Sequence, residues 1–194
     1  MMVKALCYDM ANLFFPQLCC ACDDTLLKGE NFICLHCRSD LAYTSFAKER
    51  DNPLENIFAG RVDIAWASAL FYFGKDTRVQ HIVHNIKYKG REDLAHYMGT
   101  QMGKIMNEAG MKADVVIPVP LHPRKQKERG YNQSALLSKG LADETNTASV
   151  EDALLRGQYT STQTRKSRIA RWENVEQAFH VVQPEAIADK NVLL

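Results

Sequence analysis

The chain has 194 residues with a formal net charge of +1, of which 46% are hydrophobic and 24% are charged. Such a chain can bury one substantial α/β core plus a small appendage, but hardly two full domains. The composition is typical of a soluble globular protein, and the near-neutral charge implies no bulk polyelectrolyte partner.

Apolar residues recur within residues 1–15, but Asp9 and Asn12 interrupt them. No small-residue cleavage site follows, so the pattern predicts an amphipathic helix and not a signal peptide. No stretch approaches the roughly eighteen apolar residues that a membrane span needs. We therefore expect a cytoplasmic protein without a membrane span, in a compartment where thiols stay reduced.

Residues 1–45 contain two Cys-x-x-Cys pairs, namely Cys19 with Cys22 and Cys34 with Cys37. Where thiols stay reduced, clustered cysteines are metal ligands more often than disulfides, and two such pairs can close four sulfurs into a tetrahedron. The spacing favours a structural zinc ion (Zn²⁺), with a redox dithiol or disulfides as the alternatives. Cys20 is adjacent to Cys19 and could replace it as a ligand. Because four thiolates leave no open position, the metal would fold this module and not bind substrate.

Residues 46–58 are charged and contain a proline, which makes them the best candidate for a linker. We expect an N-terminal helix and zinc module over 1–45 and an α/β domain over 59–194. The apolar pattern predicts the first elements of that domain, which are one or two strands over 61–73 and helices over 77–88 and 92–109.

A short apolar run from Val115 to Val119 is cut off by prolines, which predicts a buried strand. A basic loop and then a helix over 131–141 are expected to follow. The loop carries four cations, which are Arg124, Lys125, Lys127 and Arg129. Because ligands of open α/β sheets bind beyond the carboxyl ends of strands, the loop is either an anion site or a solvated basic loop.

The residues after Arg129 favour the anion site. Gly130 can bend the chain just before a helix whose first turn carries Asn132, Gln133 and Ser134. Such a turn can present backbone N–H groups and side-chain amides to a phosphate.

Residues 154–171 are polar and hold five cations without a carboxylate. A solvated loop is one interpretation, and a flap that folds over an anionic ligand and excludes water is the other. Single-stranded nucleic acid is a second candidate ligand, for which Tyr131, Tyr159 and Trp172 could supply stacking faces.

Several of these segments resemble the ComF family, the competence-associated proteins whose fold is similar to that of type I phosphoribosyltransferases. The main likeness lies in Pro118-Val-Pro-Leu-His-Pro-Arg124 and Arg129-Gly-Tyr-Asn-Gln133. It extends to Phe15-Pro16 with the four cysteines, to Lys87-Tyr-Lys-Gly90, and to Thr162-Gln163 with Arg171, Asn174 and Ala178-Phe179. The resemblance implies an α/β fold with a mostly parallel sheet and flanking helices, plus a small N-terminal zinc ribbon.

The resemblance also implies a ligand, phosphoribosyl diphosphate with Mg²⁺, and a role in DNA uptake during competence beside other uptake proteins. Carried over to this sequence, the catalytic candidates are Arg129, Arg168 and Arg171. The ligand-binding candidates are Arg124, Lys125, Gly130, Tyr131, Asn132, Gln133 and Gln163. The reaction would be a glycosyl transfer that displaces pyrophosphate, with an acceptor that the sequence does not identify. The alternatives are a non-enzymatic single-stranded DNA-binding protein and a zinc-ribbon adaptor.

Type I phosphoribosyltransferases carry four apolar residues, two acidic residues and then a Thr-Gly-rich phosphate loop. Residues 191–194 supply only the apolar strand. We expect a truncated chain that is inactive as it stands, and a natural short form is the alternative.

Overall fold

The structure, a computed structural model, describes residues 15–157 and 178–194. Most of the predicted N-terminal helix and most of the predicted flap lie outside the described residues. The chain divides into two compact units, Met1–Asn85 and Ile86–Leu194. The domain boundaries given above stay a prediction. Among the described helices, none is both long and apolar enough to cross a bilayer.

The residues described in the first unit form two short helices and most of a longer one, which are α1 (Leu35–Asp40), α2 (Pro53–Phe58) and α3 (Arg78–Tyr88). Helix α3 confirms the helix predicted over 77–88. Val79, Ile82 and Ile86 are buried along one of its faces, as their helical spacing requires.

The prediction of strands over 61–73 is wrong. Within the described part of the chain, this stretch makes a single antiparallel bridge, between Tyr43 and Phe71. Backbone hydrogen bonds on either side of the bridge join residues 42–44 to residues 70–72. Because the chain turns away on both sides, the contact does not extend into a ladder, and the aromatic residues that suggested a strand, Tyr72 and Phe73, are largely exposed.

Asn52 organises the segment 46–58, for which we predicted a linker. Its side chain is 2% exposed. The amide nitrogen donates to the carbonyl oxygens of Phe46, Glu49 and Ala67 at 3.2, 3.1 and 3.0 Å. The amide oxygen accepts from the backbone N–H groups of residues 54 and 55 and so caps α2. One buried amide therefore joins three stretches of backbone.

We expect Asn52→Ala to lower the free energy of unfolding by about 2 kcal/mol, because it removes a helix cap and leaves buried carbonyls without a donor. Chemical denaturation followed by circular dichroism measures the loss. Asn56→Ala is the matched control, since Asn56 lies on the same helix but is exposed and donates to one carbonyl, that of Asp51. Equal stabilities of the two variants would contradict the role of Asn52.

Outside the gap at 158–177, the second unit contains five short strands, which are β1 (Val115–Val116), β2 (Ala148–Ser149), β3 (Leu154–Arg156), β4 (Phe179–Val181) and β5 (Val192–Leu193). Strand β1 lies at the centre of a three-stranded sheet, with β2 and β5 parallel to it on either side. Val115 and Val116 are buried, as predicted for this strand. The predicted α/β class with a parallel sheet is confirmed.

Three helices of this unit lie next to β1 in the chain. Helix α4 (Glu92–Glu108) precedes β1, and α5 (Pro123–Arg129) and α6 (Gln133–Thr145) lie between β1 and β2. Helix α4 confirms the helix predicted over 92–109. Its Met106 packs with Val116, Leu141 and Ala142 in a core cluster.

Helices α4 and α6 approach so closely that their glycines face each other's backbone. A Cβ atom at Gly99 would lie 2.0 Å from the carbonyl oxygen of Leu137, and one at Gly140 would lie 2.0 Å from that of His96. Real side chains do not tolerate such distances. Only residues without a Cβ atom permit this spacing of the two helices.

Strands β3 and β4 form an antiparallel stem that pairs Leu154 with Val181 and Arg156 with Phe179. The N–H of Gly157 donates to the carbonyl oxygen of Ala178 at 2.9 Å. The stem therefore brings together the two ends of the segment 158–177, to which most of the predicted flap belongs. The flap itself stays a prediction.

The prediction of a basic loop after β1 is wrong, because Pro123–Arg129 forms helix α5. His122 caps its start, where the side-chain nitrogen Nδ1 accepts from the N–H of Arg124 at 3.2 Å. Pro123 at the first helical position supplies the backbone angle that a helix needs there. Gly130 ends the helix with φ of +87°, a left-handed conformation that favours glycine. His122 and Pro123 are local signals of a helix start, but the basic composition led us to predict a loop.

Candidate metal centre and sheet-edge site

The four predicted cysteines lie together. The Sγ atoms of Cys19, Cys22, Cys34 and Cys37 are all within 4.8 Å of one another, and those of Cys22 and Cys34 are 3.9 Å apart. A tetrahedron with Zn–S bonds of about 2.3 Å has sulfur–sulfur edges of about 3.8 Å. The group contains Cys19 and does not include Cys20, which decides between the two candidate ligands. The donor set and its spacing fit a tetrahedral thiolate-bound metal ion.

Backbone N–H groups point at two of these sulfurs. The N–H groups of Ala21 and Cys34 donate to the Sγ of Cys19 at 3.4 and 3.3 Å, and the N–H of Cys37 donates to the Sγ of Cys34 at 3.4 Å. Such donors stabilise thiolates and hold both Cys-x-x-Cys turns in a fixed shape.

The pKa values of the thiols reflect this uneven environment. Burial opposes ionisation of Cys19, but the backbone N–H groups outweigh it and lower its pKa to about 7. Burial raises the pKa of Cys22 to about 11 and raises that of Cys37 further. Four thiolates this close repel one another, so a divalent cation is the natural substitute for the protons.

Glu30 stabilises the turn between the two Cys-x-x-Cys pairs. Its carboxylate accepts from the N–H of Leu35 at 2.6 Å and from the N–H of Leu27 at 2.7 Å. These two donors hold the pKa of Glu30 below its usual range. The carboxylate thus ties the tip of the excursion to the start of α1, which carries the second cysteine pair.

Helix α3 supports the cysteine turns with a polar face that the sequence analysis missed. Asn85, which is 4% exposed, donates to the carbonyl oxygen of Cys20 at 2.8 Å. Nδ1 of His81 lies 3.2 Å from the carbonyl oxygen of Ala21, and Nε2 lies 3.4 Å from the Asp23 carboxylate. One turn earlier, Arg78 pairs with the carboxylate of Asp40. The spacing of Arg78, His81 and Asn85 at i, i+3 and i+7, which places them on one face of α3, was the available signal.

The second candidate site is the carboxyl edge of the parallel sheet. Because β1, β2 and β5 run parallel, their carboxyl ends meet at one edge. The chain leaves β1 there through Pro118 and Pro120 towards α5, and it leaves β2 there towards the stem. The cationic helix α5 is thus the element that follows in the chain after β1 reaches this edge.

Helix α5 presents a strongly positive surface. It contains four cations and one carboxylate, Glu128. That carboxylate lies 3.3 Å from Nε of Arg124. The other cations, Lys125, Lys127 and Arg129, lie along the same short helix, and each is at least partly exposed. Their charge favours an anionic ligand.

The predicted ligand-binding side chains after α5 have partners within the protein. The Tyr131 hydroxyl donates to the carbonyl oxygen of Ile86. Asn132 caps α6 by accepting from the N–H of Ser134 at 3.1 Å, and its amide nitrogen donates to the carbonyl oxygen of Val119 at 3.2 Å. The turn therefore ties the end of β1 to the end of α3 and the start of α6.

The remaining groups of the turn are held in the same way. Arg129 donates to the side-chain oxygen of Gln133, and its guanidinium lies 5.6 Å from the ring centroid of Tyr88. The N–H of Gly130 donates to the carbonyl oxygen of Gln126 at 2.8 Å, which ends α5. Ligand binding by these residues stays a prediction, and Gln163, Arg168 and Arg171 lie outside the described residues.

Two curated proteins share sequence with this chain. Competence protein F of Haemophilus influenzae is 26% identical over 152 residues, which cover 75% of this chain and 62% of that protein. DNA utilization protein YhgH of Salmonella typhimurium is 30% identical over 108 residues, which cover 53% of this chain and 48% of that protein. The matches span between about half and two thirds of these relatives. No family model matches the chain.

The likeness to Competence protein F and DNA utilization protein YhgH supports the predicted resemblance to the ComF family. The four-cysteine cluster and the segment from Pro118 to Gln133, which carry that resemblance in the sequence, are described above.

Two solved structures also resemble this chain in part. One is a glutamine phosphoribosylpyrophosphate amidotransferase from B. subtilis, complexed with ADP and GMP, with 19% identity and a TM-score of 0.35 over 56% of this chain and 23% of that chain. The other is an allosteric regulatory enzyme of purine biosynthesis, with 19% identity and a TM-score of 0.35 over 56% of this chain and 22% of that chain.

Proposed function

We propose that this protein binds phosphoribosyl diphosphate, together with Mg²⁺, at the carboxyl edge of its parallel sheet. The observation that supports the proposal is the order of the elements, since α5 with its four cations is the element that follows β1, whose carboxyl end lies at that edge. A diphosphate sugar is a compact polyanion, and ligands of parallel sheets bind at this edge. The cations of α5 match that charge.

The same arrangement supports a glycosyl transfer. Displacing pyrophosphate from the sugar needs stabilisation of the charge that accumulates on the leaving group, and it needs exclusion of water, but it needs no nucleophilic side chain. Arg124, Lys125 and Lys127 would neutralise the pyrophosphate. Arg129, held by Gln133 and Tyr88, would add a cation in a fixed position. Arg168 and Arg171 keep the catalytic roles that we predicted for them, and the acceptor is left open.

We expect weak but Mg²⁺-dependent binding of phosphoribosyl diphosphate to this chain. Amide signals in NMR spectra should shift for the non-proline residues after β1, from Val119 to Asn132. Arg124→Ala should weaken binding by roughly tenfold, because a charged hydrogen-bond donor to phosphate is lost. Lys104→Ala, on an exposed position of α4, is the control and should bind normally. Shifts elsewhere, or binding that is equal without Mg²⁺, would contradict the site.

The cysteine cluster is proposed to hold a structural Zn²⁺. Four sulfur donors at tetrahedral spacing support this metal over one that prefers oxygen ligands. Bound Zn²⁺ would supply charge neutralisation and cross-linking. The four cysteines would hold it, while Asn85 and His81 fix the backbone of the first pair.

The names of the relatives concern competence and DNA utilization. We propose that this protein likewise serves the handling of DNA in the cytoplasm. Single-stranded DNA is a second candidate ligand, and the observation that favours it is an exposed tyrosine, Tyr88, among cations. Aromatic faces within a basic surface are the usual means of binding single strands.

A further inference from the structure

We propose that the exposed ring of Tyr88, with the guanidinium of Arg129 beside it, forms a stacking platform for the bases of single-stranded nucleic acid. This inference rests on the second candidate function above and assigns it a site. None of the residues for which the sequence analysis suggested stacking belongs to it.

Tyr88 is the last residue of α3, and its side chain is 66% exposed. A large aromatic side chain gains nothing for folding while most of its surface stays in water. By contrast, Tyr131 is partly buried, and its hydroxyl is bound to the carbonyl oxygen of Ile86. Tyr88 is therefore the better placed of the two to offer a ring face to a base.

A cation from a distant part of the sequence meets this ring. The guanidinium carbon of Arg129 lies 5.6 Å from the ring centroid of Tyr88. Lys87 and Lys89 flank Tyr88 in the sequence, and Lys127 belongs to the same last turn of α5 as Arg129. The ring and the charge of Arg129 thus lie together, with three lysines nearby in the chain.

The platform is held in place by the turn after α5. Tyr131 bonds to the end of α3 through Ile86, and Arg129 bonds to Gln133. These two contacts fix α5 against the end of α3 and keep Arg129 beside the ring. A preorganised arrangement loses less entropy on binding than a mobile one.

The carboxylates in this neighbourhood lie beside Tyr131. Burial, followed by the charge of Glu92, raises the pKa of the Tyr131 hydroxyl. Asp93 is paired with Arg91 at 2.9 Å. Glu128 of α5 is paired with Arg124, and Glu92 adds a further negative charge near the Tyr131 hydroxyl.

Single-stranded nucleic acid is the ligand that uses both features of this surface. Unpaired bases expose faces that stack on an aromatic ring, and the phosphates between them bind lysine and arginine. Duplex DNA keeps its bases stacked on one another. A sugar diphosphate has the charge but no base, so it would use the cations without the ring.

The test measures the fluorescence anisotropy of two short labelled strands as each is titrated with the full chain. One strand is an oligothymidylate, and the other is an abasic strand of the same length. Tyr88→Ala should weaken binding of the base-containing strand by about tenfold, because stacking on a side chain contributes at that scale. It should leave binding of the abasic strand unchanged. Tyr88→Phe, which keeps the ring, should bind both strands as the unmodified protein does. Phe73→Ala is the matched control, because Phe73 is also 66% exposed.

Any other result of these titrations contradicts the proposed stacking platform. If the unmodified protein does not bind the strand, the second candidate function fails with it. If the protein binds but Tyr88→Ala has no effect, or weakens both strands equally, the platform alone is wrong. Binding of phosphoribosyl diphosphate, followed separately in the same variants, shows whether the sheet-edge site is intact.

Discussion

Replacing Gly140 by alanine is expected to destabilise this protein by about 3 kcal/mol or more, although the same change on an exposed helix face stabilises by about 1 kcal/mol. The added Cβ would lie 2.0 Å from the carbonyl oxygen of His96 and 3.0 Å from the backbone nitrogen of Thr100. Both are backbone atoms of α4, which cannot rotate away as a side chain can. The two helices would have to move apart, and the core cluster beneath them would lose contacts.

Urea denaturation of Gly140→Ala, Gly99→Ala and the double variant would measure these costs. Gly99→Ala should cost a similar amount, because its Cβ would lie 2.0 Å from the carbonyl oxygen of Leu137. The double variant should cost less than the sum, because one separation of the helices relieves both clashes. Lys104→Ala, on an exposed position of α4, is the control for helix propensity. A Gly140→Ala protein as stable as the unmodified one would refute the close approach.

Removing the proposed metal is expected to have the other large effect. The purified protein should contain close to one zinc ion per chain, and Cys34→Ser with Cys37→Ser should abolish its binding. Structural zinc contributes apparent binding free energies of about 10 kcal/mol or more in finger peptides, and this free energy is coupled to folding. We therefore expect the variant, and the protein treated with a chelator, to lose the structure of the cysteine turns and to melt at a lower temperature.

Cys20→Ala is the matched control for the metal. Cys20 is 2% exposed and adjacent to Cys19, but it is not part of the cluster. Its variant should keep the full zinc content. Elemental analysis and differential scanning calorimetry measure both quantities. A folded protein without metal, or a Cys20→Ala variant that loses zinc, would disprove the proposed ligand set.

The two sites differed in how much the sequence could say about them. The Cys-x-x-Cys pairs were sufficient to predict the cluster, because two residues between cysteines shape a turn that aims both sulfurs at one point. The choice between Cys19 and Cys20 was not predictable, since it depends on how the turn is held. That support comes from residues 60 or more positions away, among them Asn85, whose amide binds the carbonyl of Cys20.

The region after β1 was predicted less well. The buried strand and the bend at Gly130 were correct, because apolar runs and glycines act locally. The basic composition suggested a loop where α5 forms. The turn and the family resemblance suggested that Tyr131 and Asn132 face a ligand. Their partners, Ile86 and Val119, are 45 and 13 residues away in the chain.

The amino-acid sequence by itself determined the α/β class, the helices α3 and α4, and the positions of the four clustered cysteines, because helical period and short spacings are properties of neighbouring residues. Only the tertiary structure decided that Gly99 and Gly140 hold two helices at backbone contact, and that Arg129 meets Tyr88. Gly99 and Gly140 are 41 positions apart in the chain, and so are Tyr88 and Arg129. Such contacts depend on how elements pack, which no local pattern encodes.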